Sequence, residues 1–116
     1  MKRYELFAMI FYALDAYYEE DVPEEINNFL SDMCPFTFAD EGSADPVIYK
    51  DYCEFMGNKE ILLENSFSLA KEYVFQIKDL DLKEAFSDLT EEFWIQGCKE
   101  FSVREDKKNF GWNSKE

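Results

Sequence analysis

The first apolar stretch of the chain is long and almost uninterrupted. Residues 4–19 contain hardly any polar side chain except Glu5, Asp15 and the last residue, Glu19. A helix that is apolar on nearly every side is usually central among other helices, or partly used in an oligomer interface. A buried strand fits less well, because the run is too long and holds no turn signal. The pattern therefore predicts a central N-terminal helix.

A second helix is indicated between an acidic start and a proline stop. Asp21 with Glu24 three residues later resembles a capping box, and Pro23 would stand in the first turn. Apolar residues then recur on one helical stripe. Cys34 precedes Pro35, and a residue before proline avoids helical geometry, so we expect the helix to end there.

Clear boundary signals also mark a third, shorter helix. Asp45 and Pro46 stand in the order of a helix cap and a first-turn proline, and Gly57 suits the left-handed residue after the helix end. The irregular residues 35–44 precede this helix. A longer helix is predicted to follow over residues 58–78, with apolar side chains at helical spacing.

The last apolar pattern runs from Leu82 to Phe101 and fits either one bent helix or two short ones. Residues 103–116 are polar and mixed in charge, which is typical of a loosely held tail. We therefore predict an all-α fold: a compact bundle of about five helices over residues 1–102, with a C-terminal tail at 103–116. The length of 116 residues suits one domain.

The charge of the chain is strongly negative and unevenly distributed. The formal net charge is −14, and residues 4–49 contain eleven acidic residues and no lysine or arginine. From Tyr52 onward, nine basic residues offset part of the charge of fourteen acidic ones. Without a basic patch, neither nucleic-acid phosphates nor anionic membranes attract such a chain. A basic protein is the partner that this charge favours, and direct nucleic-acid or membrane binding is not expected.

Two interpretations of the acidic half compete. It is either a solvated surface that serves solubility, or a docking surface for a basic protein. Tyrosines close to the acids favour docking, since exposed tyrosine is common in binding hot spots; the alternative is that they line the edge of the core. The candidate partner-binding residues are Tyr18, Glu19, Glu20, Asp21, Glu24, Glu25, Asp40, Glu41, Asp45, Tyr49 and Tyr52.

Residues that usually carry catalysis are missing from the sequence. There is no histidine, which removes Ser-His and Cys-His pairs and most zinc sites. No glycine-rich phosphate loop is present. Glu91 and Glu92 are adjacent on a predicted helix, so their side chains point about 100° apart and do not converge. We therefore predict a non-enzymatic protein with no cofactor and no metal site.

The cysteines and the N-terminus favour a cytoplasmic protein. Cys34, Cys53 and Cys98 are odd in number and lack CxxC spacing, which favours a reducing compartment and small buried side chains over reactive thiols. The first apolar run imitates a signal peptide, but Glu5 interrupts its approach and no A-x-A site follows. It is also shorter than the ~20 residues of a membrane span.

In size, acidity and lack of catalytic residues, the chain resembles small inhibitors such as bacterial immunity proteins. The resemblance is one of class and composition, and it implies a protein that shields a cationic site of its partner. We therefore expect a non-enzymatic, acidic, protein-binding module. Two alternatives are a DNA mimic, with carboxylates along an extended face, and an adaptor that forms a homodimer through its N-terminal helix.

Overall fold

The chain folds into a helical bundle. The computed structural model describes residues 1–18, 22–35, 42–77 and 80–103. Within these ranges six helices form: α1 (Arg3–Tyr17), α2 (Glu24–Met33), α3 (Pro46–Met56), α4 (Leu63–Phe75), α5 (Lys83–Ser87) and α6 (Glu91–Val103). The described residues contain no strand, only an isolated antiparallel bridge between Pro35 and Ser43. The prediction of an all-α bundle is confirmed.

Helix α1 lies at the centre of the bundle. Tyr4 and all nine residues from Leu6 to Leu14 are buried. Four other helices, α2, α3, α4 and α5, pack against it. This position explains why the first apolar stretch has almost no polar face, because neighbouring helices cover most of its surface.

The predicted boundaries of α3 are confirmed. The carboxylate of Asp45 accepts a hydrogen bond from the backbone N–H of Val47 at 3.1 Å, and Pro46 is the first helical residue. Gly57 follows the last residue with φ of 52°, a backbone conformation that disfavours residues with a Cβ atom. The end of α2 before Pro35 also agrees with the prediction.

Two predicted helix starts are wrong by a few residues. Helix α2 begins at Glu24, and Pro23 with ψ of 143° is its extended N-cap rather than a first-turn residue, while Asp21 lies outside the described residues. Helix α4 begins at Leu63 rather than at residue 58. The reason lies in the side chain of Asn65. It accepts a hydrogen bond from the N–H of Leu62 at 2.8 Å and donates one to the backbone carbonyl oxygen of Glu60 at 3.0 Å. These bonds accompany an extended backbone at Leu62, the N-cap of α4.

The segment from Leu82 to Phe101 forms two helices, which decides between the two predicted alternatives. Helix α5 is short, and the Asp81 carboxylate accepts a weak hydrogen bond from the N–H of Lys83 at 3.4 Å. The hydroxyl of Thr90 accepts a hydrogen bond from the N–H of Phe93 at 3.2 Å, and so caps the start of α6. Residues 104–116 lie outside the described residues, and the proposed tail stays a prediction.

Aromatic side chains fill the interface of α4, α5 and α6. The Trp94 ring lies 5.9 Å from Phe67 and 5.8 Å from Phe86, measured between ring centroids. Its indole N–H donates to the buried Ser66 hydroxyl at 2.8 Å, and that hydroxyl donates to the carbonyl oxygen of Leu63. The one polar group of the tryptophan is thus satisfied inside the core.

None of the described helices is both long enough and apolar enough to cross a membrane. Helix α1 has 15 residues, fewer than a membrane span needs.

Candidate acidic binding surface

The outer side of α2 carries only acidic and neutral side chains. Its exposed residues are Glu24, Glu25, Asn27, Asn28, Ser31 and Asp32. We call the three carboxylates among them, on Glu24, Glu25 and Asp32, the α2 acidic face. The helix contains no lysine or arginine, so this face has a single sign of charge.

The three carboxylates relate differently to the helix dipole. Glu24 and Glu25 stand in the first turn, where the partial positive charge of the helix end favours anions. Asp32 stands in the last turn, where the partial negative charge disfavours them. Helix stability therefore accounts for two of the three acids and not for Asp32.

Asp45 and Tyr49 lie near the C-terminal end of α2. The N–H of Asp45 donates to the carbonyl oxygen of Asp32 at 2.8 Å, which ties the start of α3 to this end. The Asp45 carboxylate is half-buried and serves as the cap of α3. The ring of Tyr49 packs against Phe7 at 5.0 Å and is also half-buried.

Tyr18 directly follows the C-terminal end of α1, whereas Tyr49 contacts the N-terminal half of that helix. Phe7, which Tyr49 contacts, precedes Tyr18 by eleven residues, which is about 16 Å along a helix. Its hydroxyl donates to the carbonyl oxygen of Asp81 at 3.3 Å. Burial, with smaller contributions from nearby ionisable groups, raises the pKa of Tyr18. Tyr18 and Tyr49 therefore belong to different ends of the bundle, and α2 is the element between them in sequence.

The side chain of Tyr52 lies in the core rather than on the surface. It is fully buried, and its hydroxyl donates to the carbonyl oxygen of Arg3 at 2.6 Å. Burial is the main cause that raises its pKa. Tyr52 therefore lies deeper than the core edge considered for the tyrosines, and it presents no surface to a partner in this structure.

Five of the predicted partner-binding residues, all of them acids, lie outside the described residues. They are Glu19, Glu20, Asp21, Asp40 and Glu41. Their part in binding stays a prediction from the sequence.

A groove runs beside the α2 acidic face, between α2, α3 and α4. Its volume is about 590 Å³, and it is lined by Phe29, Ile48, Asp51, Glu54, Phe55, Tyr73, Gln76, Ile77 and Leu80. We call it the α2–α4 groove. Phe29 is four residues after Glu25 and three before Asp32, and such residues are neighbours on a helix surface. The groove and the α2 acidic face therefore adjoin.

The charged residues that line the groove come from α3. Asp51 and Glu54 are exposed and three residues apart, so they share one side of that helix. The charge of Asp51 acts on the groove wall: burial raises the pKa of Tyr73, and Asp51 raises it further. At the edge, the Lys59 ammonium lies 4.9 Å from the ring centroid of Phe55.

Sequence reasoning missed this groove because its walls are distant along the chain. Phe29 lies in α2, Phe55 lies in α3 and Ile77 follows the end of α4, and no local pattern brings them together. Asp51 and Glu54 also lie after Lys50, outside the stretch without positive charge. Their spacing on a predicted helix was the available signal.

The described residues contain no group of three or more cysteine, aspartate or glutamate side chains placed to hold a metal ion. A second, smaller recess of about 190 Å³ lies between α1, α5 and α6, and Asp88 is the one carboxylate among the described residues that line it. No protein-family model matches the chain, and no curated protein or solved structure matches it. The role of the acidic surface is therefore inferred from the chain's own residues.

Proposed function

We propose that this chain is a non-enzymatic binding module whose acidic surface captures a basic protein. An inhibitor of the immunity-protein type is one form that such a module takes. The α2 acidic face supplies the negative charge, and the adjoining groove supplies apolar contact area.

One observation supports this proposal above the others, the single sign of charge on α2. Among the six described helices, α2 is the one that contains no lysine or arginine. Its exposed carboxylates stand at both ends, including Asp32 in the last turn, where the helix dipole opposes a negative charge. A requirement for negative charge along the full length of α2 accounts for this pattern.

The mechanism is electrostatic steering followed by short-range packing. A surface of one sign accelerates the encounter with an oppositely charged partner, and salt weakens this effect. Apolar contacts formed after the encounter would then set how long the complex lasts. With a net charge of −14, the chain repels nucleic acid and attracts basic proteins.

The distribution of acids favours a basic protein partner over the DNA-mimic alternative. Every one of the six described helices carries at least one exposed carboxylate. A DNA mimic instead needs carboxylates along one extended face. The adaptor alternative relied on the apolar surface of α1, and that surface is buried in the chain's own core.

A pull-down with charge-matched variants tests the proposal. The baits are the wild-type chain, the variant Glu24→Gln/Glu25→Gln/Asp32→Asn, and the control Glu91→Gln/Glu92→Gln/Glu100→Gln. Both variants remove three exposed negative charges, from α2 and from α6 respectively. The extract comes from the native cell, and captured proteins are identified by mass spectrometry.

We expect the wild type and the α6 control to capture the same basic protein at low salt, and the α2 variant to lose it. Capture that persists in the α2 variant, or that involves only acidic proteins, contradicts the proposal. Circular dichroism of all three baits establishes that a loss of capture is not a loss of folding.

A further inference from the structure

The α2–α4 groove combines an apolar floor with an acidic side. Side chains from α2, from α3 and from the end of α4 and the residues after it form the floor, and Phe29, Ile48 and Ile77 are half-buried there. The volume of about 590 Å³ lies in the range of pockets that hold a compact ligand, about 300–1,000 Å³. It is sufficient for a few side chains and too small for a whole helix.

The charge of the groove restricts what can enter it. The described residues that line it include two carboxylates, on Asp51 and Glu54, and no lysine or arginine. A peptide segment with acidic side chains would be repelled there. A segment with a lysine or arginine beside an apolar residue would match both the floor and the carboxylates.

The aromatic walls suit the same chemistry. An ammonium group is attracted to the face of an aromatic ring. The Lys59 ammonium covers one face of Phe55, so this attraction is available to a partner only at the other aromatic surfaces that line the groove. The long methylene stems of lysine and arginine can cover apolar surface while their charged ends stay near carboxylates. This combination distinguishes a basic peptide from a neutral apolar one.

We propose that the α2–α4 groove docks a short segment of the basic partner, with an apolar side chain on the floor and a lysine or arginine at Asp51 and Glu54. The inference rests on the proposed function and adds where the partner inserts and which side chains it uses. The α2 acidic face would guide the encounter, and the groove would hold the complex.

Selection from a random dodecapeptide library displayed on phage tests the docking chemistry. The wild-type chain is the bait, and the enriched peptides are synthesised for affinity measurement. Three variants are compared: Asp51→Lys/Glu54→Lys in the groove, Glu91→Lys/Glu92→Lys as a control with the same change of charge on α6, and the α2 variant described above. All substituted side chains are exposed, which favours unchanged folding.

We expect enriched peptides to carry a net positive charge and at least one large apolar residue. Their affinity should fall by about tenfold or more in the groove variant and by less than about threefold in the α6 control. In amide NMR spectra of the wild-type chain, the residues that line the groove should shift on peptide addition.

Three results would overturn the inference. They are enrichment of no basic peptide, equal affinity for the groove variant and the α6 control, and shifts confined to residues outside the groove. The α2 variant separates the two proposals. If the α2 variant alone loses affinity, the acidic surface still binds a basic partner and only the assignment of the groove is wrong. If neither the variants nor a change of salt alters binding, the proposed function and the groove assignment are both wrong.

Discussion

At the scale of single residues, the core satisfies its few polar groups internally. Within the described part of the chain, no buried side-chain nitrogen or oxygen lacks a hydrogen-bond partner. The hydroxyl of Ser66 is the clearest case, since it accepts from the Trp94 indole and donates to the Leu63 carbonyl oxygen. Its loss would leave a buried N–H without an acceptor, which costs more than the hydrogen bond itself.

Replacing Ser66 with alanine should therefore destabilise the fold by about 1–3 kcal/mol. The matched control is Ser68→Ala on the same helix, where the side chain is exposed and the change should stay within about 0.5 kcal/mol. Urea unfolding of both variants measures the difference. Equal stability of the two variants would mean that the Trp94–Ser66 hydrogen bond contributes nothing to folding.

Burial also decides the protonation state of Cys98. It raises the pKa of the thiol from 9.0 to about 12, with only partial compensation by a hydrogen bond with Ser66. Between these values the unfolded chain has lost a proton that the folded chain keeps. The free energy of unfolding therefore falls as pH rises through this window, by about 1.4 kcal/mol per pH unit for one group.

The variant Cys98→Ala should lose stability less steeply than the wild type between pH 9 and 12. Tyr52 and Tyr73, whose pKa values burial also raises, continue to contribute above pH 10 in both proteins. Urea unfolding at half-unit pH steps gives the two slopes, and the same measurements at pH 7–8 correct for the loss of packing. Parallel slopes from pH 9 upward would contradict the burial of this thiol.

At the scale of helices, the carboxylates of α2 that should serve binding have different effects on the stability of the fold. Glu24 is favoured by the positive end of the helix dipole, whereas Asp32 is disfavoured by the negative end. The two carboxylates belong to the same acidic face, so both should serve a basic partner. Their effects on folding should have opposite signs.

Neutralising these two acids one at a time should separate the effects. Glu24→Gln should lower the free energy of unfolding by about 0.3–1 kcal/mol, and Asp32→Asn should raise it by a similar or smaller amount. Both changes should weaken binding of the captured partner. Thermal unfolding and affinity measurements on each variant check this. Stronger or unchanged binding for Asp32→Asn would contradict a role of the C-terminal end of α2 in capture.

Local signals predicted most of the helices correctly. Asp45–Pro46 and Gly57 bracket α3, and Pro35 stops α2, because caps and proline act within a few residues of where they stand. The almost uninterrupted apolar run within residues 4–19 likewise predicted a central helix. These features can be predicted from the sequence because each depends on residues that are close together along the chain.

Features that depend on distant or side-chain contacts were not predictable. The start of α4 is set by hydrogen bonds of the Asn65 side chain to residues before the helix. Residues 58–62 contain no glycine or proline that would indicate this start in the sequence. The groove requires α2, α3 and α4 to meet. Tyr52 was grouped with surface residues by its acidic neighbours, and only the packing of α3 against α1 shows its burial.

At the scale of the whole molecule, charge and shape have separate roles. Exposed carboxylates lie on every described helix, and with a net charge of −14 they give the chain a long-range field that repels acidic molecules. The structure adds what charge alone lacks. It places an apolar groove beside a helix whose exposed side carries no positive residue. The proposed partner would therefore be recognised at a defined place on the surface, and not by net charge alone.

The most direct test of the central claim is the association rate constant of the captured partner as a function of ionic strength. We predict that it falls by about tenfold or more between 10 mM and 500 mM NaCl, with a much smaller change in the dissociation rate constant. The fall should be smaller for the α2 variant than for the α6 control. An association rate constant that is independent of salt, or equally dependent in both variants, would contradict capture through the α2 acidic face.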